Sequence, residues 1–232
     1  MREVIFDTET TGLDSKEDRV IEIGGVELDN KFPTGRTFHV FVNPQGRAVH
    51  PDALAVHGIK DDFLKDKPGF ADIVEPMSAI FDGAKLVAHN AGFDVSFLNA
   101  ELARLDLPPI DPGRIVDTLA IARRRHPMGP NSLDALCKRY GIDNAHRTKH
   151  GALLDAELLA EVYIEMNGGR QAALGLSHGT SADPVEQDKE EADGIGARPK
   201  PLPVRISEEE RAAHAAMLER LGNEAVWNDY AD

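Results

Sequence analysis

The chain of 232 residues is long enough for one sizeable domain with additional segments, and its formal net charge of -14 argues against a protein that holds nucleic acid by broad phosphate neutralisation. Its one cysteine, Cys137, excludes an intramolecular disulfide and suits a reducing compartment, and the N-terminal residues form no apolar segment long enough for a signal peptide or membrane span. We therefore expect a cytoplasmic protein, without a membrane partner, that has its own hydrophobic core.

The first part of the chain is predicted to form three strands. Residues 4–9 form an apolar run typical of a buried strand, residues 20–28 alternate as a second strand, and residues 38–42 form a third. The short connections between them favour antiparallel pairing. Residues 52–56 predict a helical turn that leads to His57.

The middle of the chain alternates between strands and helices. Helical spacing of apolar residues predicts a helix over residues 70–81, in which Pro76 would cause a kink or a late start. Further along, we expect strands at residues 86–88 and 115–116, and helices over residues 94–105, 118–125, 132–140 and 152–166. Hairpin strands followed by strands that alternate with helices indicate an α/β fold, with a mixed five-stranded sheet flanked by helices.

The composition changes near residue 170. Residues 177–205 are rich in Pro, Gly, Asp, Glu and Ser and poor in large apolar residues, which predicts a flexible linker. Beyond it, residues 207–210 fit a capping box for a short helix with an apolar stripe, and Trp227 follows. The predicted organisation is a domain over residues 1–170, a linker over residues 171–206 and a C-terminal segment over residues 207–232.

Asp7 and Glu9 end the first predicted strand with two carboxylates on one face, because side chains alternate along a strand and Thr8 turns the other way. Two carboxylates held close together repel and raise each other's pKa unless a cation neutralises them. Mg²⁺ or Mn²⁺ would do so, but each of these ions prefers six oxygen ligands. Alone, the pair is more simply explained as a solvated strand tip, so a metal site needs further acids.

Asp94 and Asp155 are candidates for the missing ligands. Asp94 opens a predicted helix just after a strand, where it could also act only as an N-terminal helix acid. Asp155 lies in the first two turns of an otherwise apolar helix, a setting in which a charge faces water or has a partner. His150 is predicted to lie in the loop before this helix, from which it can swing toward the site. For that residue alone, a surface or structural histidine is the simpler explanation.

Three motifs resemble those of a known enzyme family. Asp7-Thr8-Glu9-Thr10-Thr11-Gly12-Leu13, His89-Asn90-Ala91-Gly92-Phe93-Asp94 and His150-Gly151-Ala152-Leu153-Leu154-Asp155 resemble the three exonuclease motifs of the DEDDh family, which has a ribonuclease-H-like fold. Within that family, residues 56–59, 131–137 and 147–163 are similar to the proofreading subunits of bacterial replicative DNA polymerases. The resemblance covers residues 1 to about 170.

The resemblance implies a two-metal exonuclease. Asp7, Glu9, Asp94 and Asp155 would hold two Mg²⁺ or Mn²⁺ ions, and His150 would accept the proton of the attacking water. The reaction would release nucleoside 5′-monophosphates from a single-stranded or frayed 3′ end of DNA. The residues that would bind the terminal nucleotide are Thr8, Thr10, Gly12, Leu13, His57, Asn90 and Phe93. A core position beside Asp94 is the alternative for Phe93.

Three functions are open on the sequence: a proofreading DNA exonuclease, an RNA 3′-exonuclease of the oligoribonuclease or ribonuclease T kind, and a binding module with an inactive site. The C-terminal segment favours the first, because a tether that ends in a capped helix suits a subunit held by a polymerase. Intact acids and His150 disfavour the third. We expect residues 207–232 to bind the polymerase's catalytic (alpha) subunit, and Gln171 to Leu176 resemble a sliding-clamp-binding peptide.

A basic segment stands out against the overall negative charge. Residues 123–150 carry seven Lys or Arg residues, among them Arg147, against two acids, which gives a local charge of +5. Such a patch is either a solvated face or a contact for a polyanion.

Overall fold

Residues 1–169 and 207–221 are described by the computed structural model. The strands in the first of these segments are β1 (Arg2–Thr10), β2 (Val20–Asp29), β3 (Phe32–Phe41), β4 (Lys85–Ala88) and β5 (Ile115–Asp117). They form a five-stranded sheet in the order β3-β2-β1-β4-β5, so that β1 is the central strand. It pairs antiparallel with β2 and parallel with β4, which makes the sheet mixed, as predicted.

Helices cover both faces of this sheet. Within residues 1–169 they are α1 (Pro51–His57), α2 (Asp61–Leu64), α3 (Phe70–Phe81), α4 (Gly92–Arg104), α5 (Thr118–Arg125), α6 (Leu133–Tyr140) and α7 (Ala152–Met166), with a short 3₁₀ turn at Pro112–Arg114. The bounds of α5 and α7 agree with the predicted ones. Helix α2 has no counterpart among the predicted elements, since four residues cannot display a helical period.

Two apolar cores lie on opposite faces of the sheet. Val4 and Phe6 of β1 belong to the core that contains residues of α3 and α4, whereas Ile5 between them belongs to the core built with α6 and α7. Alternation along β1 therefore determines which helices each of its side chains faces. Continued to the end of the strand, this alternation directs Asp7 and Glu9 toward the α7 side and Thr8 toward the α4 side.

Strand β3 begins at Phe32, so its predicted start at residue 38 is wrong. Asn30 and Lys31 have φ values of 49° and 71° and connect β2 to β3 as a two-residue hairpin turn. The first residues of β3 are exposed at the edge of the sheet, so they lack the apolar alternation that marks a buried strand.

Helix α3 begins at Phe70 and runs through Pro76, so of the two predicted effects of this proline, a kink or a late start, the late start is wrong. The carboxylate of Asp72 accepts a hydrogen bond of 2.9 Å from the backbone N–H of Gly69, which fixes the helix start. Apolar side chains of α3 lie buried on one face against the sheet. This packing outweighs the lost hydrogen bond at the proline. The buried residues are Phe70, Ile73, Met77 and Phe81.

Gly24 of β2 allows α7 to begin directly against the sheet. It pairs with Asp7 in the β1–β2 register. A Cβ atom at Gly24 would lie 2.2 Å from backbone atoms of Ala152 and Leu153, which no packed structure tolerates. Because Gly24 has no side chain, the first turn of α7 can contact β2 at the residue that pairs with Asp7.

The described part of the C-terminal region is helix α8 (Glu208–Leu221). Its predicted capping box is confirmed: Ser207 Oγ accepts from the Glu210 N–H at 3.2 Å, and the Glu210 carboxylate accepts from the Ser207 N–H at 2.8 Å. Ala213 and Met217 of the predicted apolar stripe are exposed. The predicted linker, the peptide from Gln171 to Leu176 and Trp227 lie outside the described residues.

Within residues 1–169 and 207–221, every helix is too short or too polar to cross a membrane.

We expect Gly24→Ala to lower the free energy of unfolding by about 3 kcal/mol, because the new methyl group must displace the backbone of α7. Gly25→Ala is the matched control, since its Cβ would lie at an ordinary distance of 3.4 Å from the Val4 side chain. Urea unfolding of both variants measures the difference. Equal stability of the two variants would contradict this account of Gly24.

Candidate active site

Acidic side chains from three elements meet at the carboxyl-terminal end of β1. Asp7 and Glu9 come from the strand itself, Asp94 from the first turn of α4, and Asp155 from the first turn of α7. Glu9, Asp94 and Asp155 are buried, at 8%, 3% and 3% exposure. The sequence-predicted acids are thus brought together although they lie up to 148 positions apart in the chain.

Asp94 is held in place by the strand residue between the other two acids. The backbone N–H and the hydroxyl of Thr8 both donate to Oδ1 of Asp94, at 3.0 and 2.7 Å. Both bonds use the same oxygen, so Oδ2 is left for another contact. Asn90, just before α4, adopts a φ of 65° and donates its N–H to Asp117 at 3.1 Å, which fixes the start of this helix.

Arg147 lies among these acids. From the sequence it was noted only as one member of a basic patch. Its Nε and Nη2 donate to the two oxygens of Asp155 at 2.5 and 2.7 Å. Its Nη1 donates to both oxygens of Asp134 on α6, each at 2.9 Å. The side chain is 7% exposed, so it does not belong to a solvated face. A basic run alone gives no sign of which of its members turns inward.

His150 lies in the loop that precedes α7, where it was predicted. Its ring is about half exposed, and Nδ1 lies 3.3 Å from an oxygen of Asp155. Candidate ligand atoms of Glu9, His150 and Asp155 all lie within 4.8 Å of one another. Burial and the nearby Arg147 guanidinium lower the pKa of His150, so the ring is neutral at physiological pH.

Burial and mutual repulsion make the acids of the site hard to ionise. Burial, followed by the charges of Asp94 and Glu9, raises the pKa of Asp7 well above its usual range. Burial and the neighbouring Glu22 raise the pKa of Glu9 to about 8. Burial raises the pKa of Asp94 to about 7, against the lowering effect of its bonds from Thr8. Positive charge at this point would lower all three values.

Most buried acids elsewhere in residues 1–169 have a basic partner of their own. The pairs include Glu3 with Lys31, Asp18 with Arg47, Glu27 with Arg36, and Glu101 with Arg19. By contrast, Asp7, Glu9 and Asp94 form no ion pair with any residue in the described part of the chain. Closely spaced carboxylates without a cationic partner are the ligands that a divalent metal ion prefers, so the residues present fit such an ion.

An open cavity of about 240 Å³ lies beside the acids. All seven residues predicted to bind a nucleotide line it: Thr8, Thr10, Gly12, Leu13, His57, Asn90 and Phe93. Ala53, Val56 and His89 also line it and were not predicted. Ala53 and Val56 lie on α1, where nothing in their apolar character distinguishes a cavity wall from a core contact.

Gly12, Leu13 and Phe93 contribute to the cavity wall in different ways. Gly12 has no room for a side chain, because a Cβ there would lie 2.3 Å from Asp18. Leu13 follows with 85% of its side chain exposed at the rim. Phe93 both lines the cavity and packs on Phe97, with ring centroids 4.9 Å apart.

Comparisons with known proteins agree on one family. A family model described as Exonuclease matches residues 4–163. The DNA polymerase III subunit epsilon of Salmonella typhimurium is 43% identical over 238 aligned residues, which cover 97% of each chain. A structure of Exonuclease X in complex with 5′ overhanging duplex DNA is 30% identical, with a TM-score of 0.56 over 72% of this chain and 90% of that one.

One further structure confirms the predicted fold class. The nuclease domain of 3′hExo, a DEDDh family member bound to rAMP, is 19% identical and has a TM-score of 0.61. It covers 72% of this chain, and 92% of its own length is matched. At this identity the similarity concerns the fold alone.

We expect the protein without metal to lose stability as the pH rises from about 4.5 to about 8. Glu9 has an ordinary pKa of 4.5 when unfolded and about 8 when folded, so the folded state binds more protons in this range. Thermal unfolding in EDTA across this range measures the slope. Glu9→Gln should make the slope shallower, because Asp7 and Asp94 still contribute to it, whereas Glu157→Gln at an exposed position of α7 should keep the native slope. A stability that rises with pH in this range would refute the assignment.

Proposed function

Since this chain belongs to the exonuclease family that includes the epsilon subunits of bacterial DNA polymerase III, we infer that it proofreads DNA replication as a 3′-5′ exonuclease. It hydrolyses the terminal phosphodiester bond and releases nucleoside 5′-monophosphates. The observation that carries this proposal is the convergence of acids from β1, α4 and α7 beside a cavity that is open at Leu13.

The residues of the site divide the chemistry between them. Asp7, Glu9, Asp94 and Asp155 would hold two divalent ions, Mg²⁺ or Mn²⁺, which would supply charge stabilisation for the attacking and leaving oxygens of the phosphodiester. His150 accepts a proton from the attacking water, because its ring is neutral and sits in a loop beside Asp155. Thr8 keeps Asp94 oriented through its two hydrogen bonds.

The cavity binds the terminal nucleotide. The exposed Leu13 side chain contacts the base, and backbone groups near Gly12, which lines the cavity, also contact the nucleotide. His57, Asn90, Phe93 and the threonines Thr8 and Thr10 complete the wall. Such a pocket accepts an unpaired end more readily than a paired one, because a paired base must first be unstacked. Mismatched primer ends are therefore the preferred substrates.

We expect the native chain to release mononucleotides faster from a mismatched than from a matched primer, with Mg²⁺ or Mn²⁺ and not with EDTA. Asp7→Asn should abolish release, and His150→Gln should slow it by about 100-fold or more. Asp106→Asn, an exposed position outside the cavity, serves as the charge control. A short RNA is the comparison substrate. Activity in EDTA, full activity of Asp7→Asn, or a preference for RNA would refute the proposal.

The rest of the chain attaches the nuclease to its polymerase. We assign residues 1–170 to the exonuclease domain, 171–206 to a flexible linker and 207–232 to the segment that binds the alpha subunit of DNA polymerase III. Exposed apolar side chains on α8, such as Met217 at 44% exposure, support this role. The peptide from Gln171 to Leu176 binds the sliding clamp. The complex acts in the cytoplasm.

We expect deletion of residues 200–232 to abolish co-purification with the alpha subunit while nuclease activity on a mismatched primer is retained, since the site lies within residues 1–169. Pull-down with purified alpha subunit measures the first property and mononucleotide release the second. Gln171→Ala should weaken clamp binding without affecting either. Unchanged binding of the alpha subunit by the deleted chain would contradict the assignment of its C-terminal segment.

A further inference from the structure

Arg147 uses the same oxygens of Asp155 that a divalent ion would use. Its guanidinium spans both of them at 2.5 and 2.7 Å, the bidentate geometry that gives the strongest arginine–carboxylate pairs. The pair is almost fully buried, with side-chain exposures of 7% for Arg147 and 4% for Asp155. A bound cation and this guanidinium compete for these oxygens, because their like charges repel in a poorly solvated site.

The same guanidinium group also contacts the ring of His150. Its Nη2 lies 2.9 Å from Nδ1 and 3.3 Å from Nε2 of the ring. Arginine can only donate, so the unprotonated ring nitrogen is the one that accepts. The ring nitrogens of His150 are therefore in contact with a cationic donor while Arg147 keeps this position.

We propose that Arg147 is a positioning residue of the metal-free site, where it holds Asp155 and His150 until divalent ions displace its guanidinium. This inference rests on the proposed function, because it assigns a resting state to the same site. Arg147 takes no part in the hydrolysis itself. Its displacement frees the Asp155 oxygens for the ions and the ring of His150 for the water.

Asp134 gives the displaced side chain a second anchor. Nη1 of Arg147 already pairs with both oxygens of this residue, which lies in the first turn of α6 and is more than half exposed. Asn144 in the connecting loop also donates to Asp134, at 2.8 Å. Leaving Asp155 therefore moves the guanidinium toward solvent without leaving it unpaired, so the exchange requires only a local side-chain movement.

This arrangement has a measurable thermodynamic consequence. If Arg147 stabilises the metal-free form more than the metal-bound form, it must weaken metal binding by the same factor. Removing it should destabilise the metal-free protein and tighten metal binding. A residue that merely connects α6 to α7 would instead stabilise both forms equally.

The experiment compares the native chain with Arg147→Gln and Asp134→Asn at pH 8, by thermal unfolding in EDTA and in saturating Mn²⁺, and by calorimetric titration with Mn²⁺. Arg147→Gln should melt about 3 °C or more below the native chain in EDTA and regain most of this loss in Mn²⁺. Its apparent dissociation constant for Mn²⁺ should fall at least about fivefold. Asp134→Asn, which removes a pair present in both forms, should lower both melting temperatures by similar amounts.

The outcomes separate this inference from the function on which it rests. Equal losses for Arg147→Gln in EDTA and in Mn²⁺, or weaker Mn²⁺ binding by this variant, would overturn the inference and leave the exonuclease assignment intact. Failure of Mn²⁺ to raise the melting temperature of the native chain would overturn the metal-dependent function, and the inference with it.

Discussion

The site is built around the repulsion among buried carboxyl groups at the end of β1. Removing an acid from water costs free energy, and placing others beside it adds to that cost. Elsewhere in residues 1–169 a buried acid such as Glu101 meets its own arginine. At the site, Arg147 is the nearby base for several acids, so the arrangement is stable only with additional positive charge or bound protons.

The geometry of the site comes largely from the backbone. Alternation along β1 places Asp7 and Glu9 toward α7 and Thr8 toward α4, so a single strand serves helices on both faces of the sheet. Gly24 has no side chain to hold α7 away from the strand. The left-handed conformation of Asn90 starts α4 at the place where Asp94 reaches Thr8. The positions of the acids in this site therefore depend on close backbone approach as much as on side-chain chemistry.

The sequence predicted those parts of the structure that show a helical or strand periodicity or match a known motif. The mixed sheet and the bounds of α7 follow from patterns within a few residues, whereas the acids were joined into one site only by the resemblance of three separate motifs to those of a known family. The exposed first half of β3 and the passage of α3 through Pro76 do not follow from such patterns, because an edge strand lacks alternation and tertiary packing overrides a proline. Arg147 was missed for another reason: its direction depends on a loop conformation that residue type alone does not encode.

The large separation of Asp7 and Asp155 along the chain affects when the site forms during synthesis of the protein. Asp7 leaves the ribosome well before Asp155 and the helix that carries it, which come 148 residues later. Until α7 packs on β2 beside Gly24, the chain has an acidic strand end without the acid that α7 contributes. The acid cluster is therefore completed only when the last helix of residues 1–169 has folded onto the sheet.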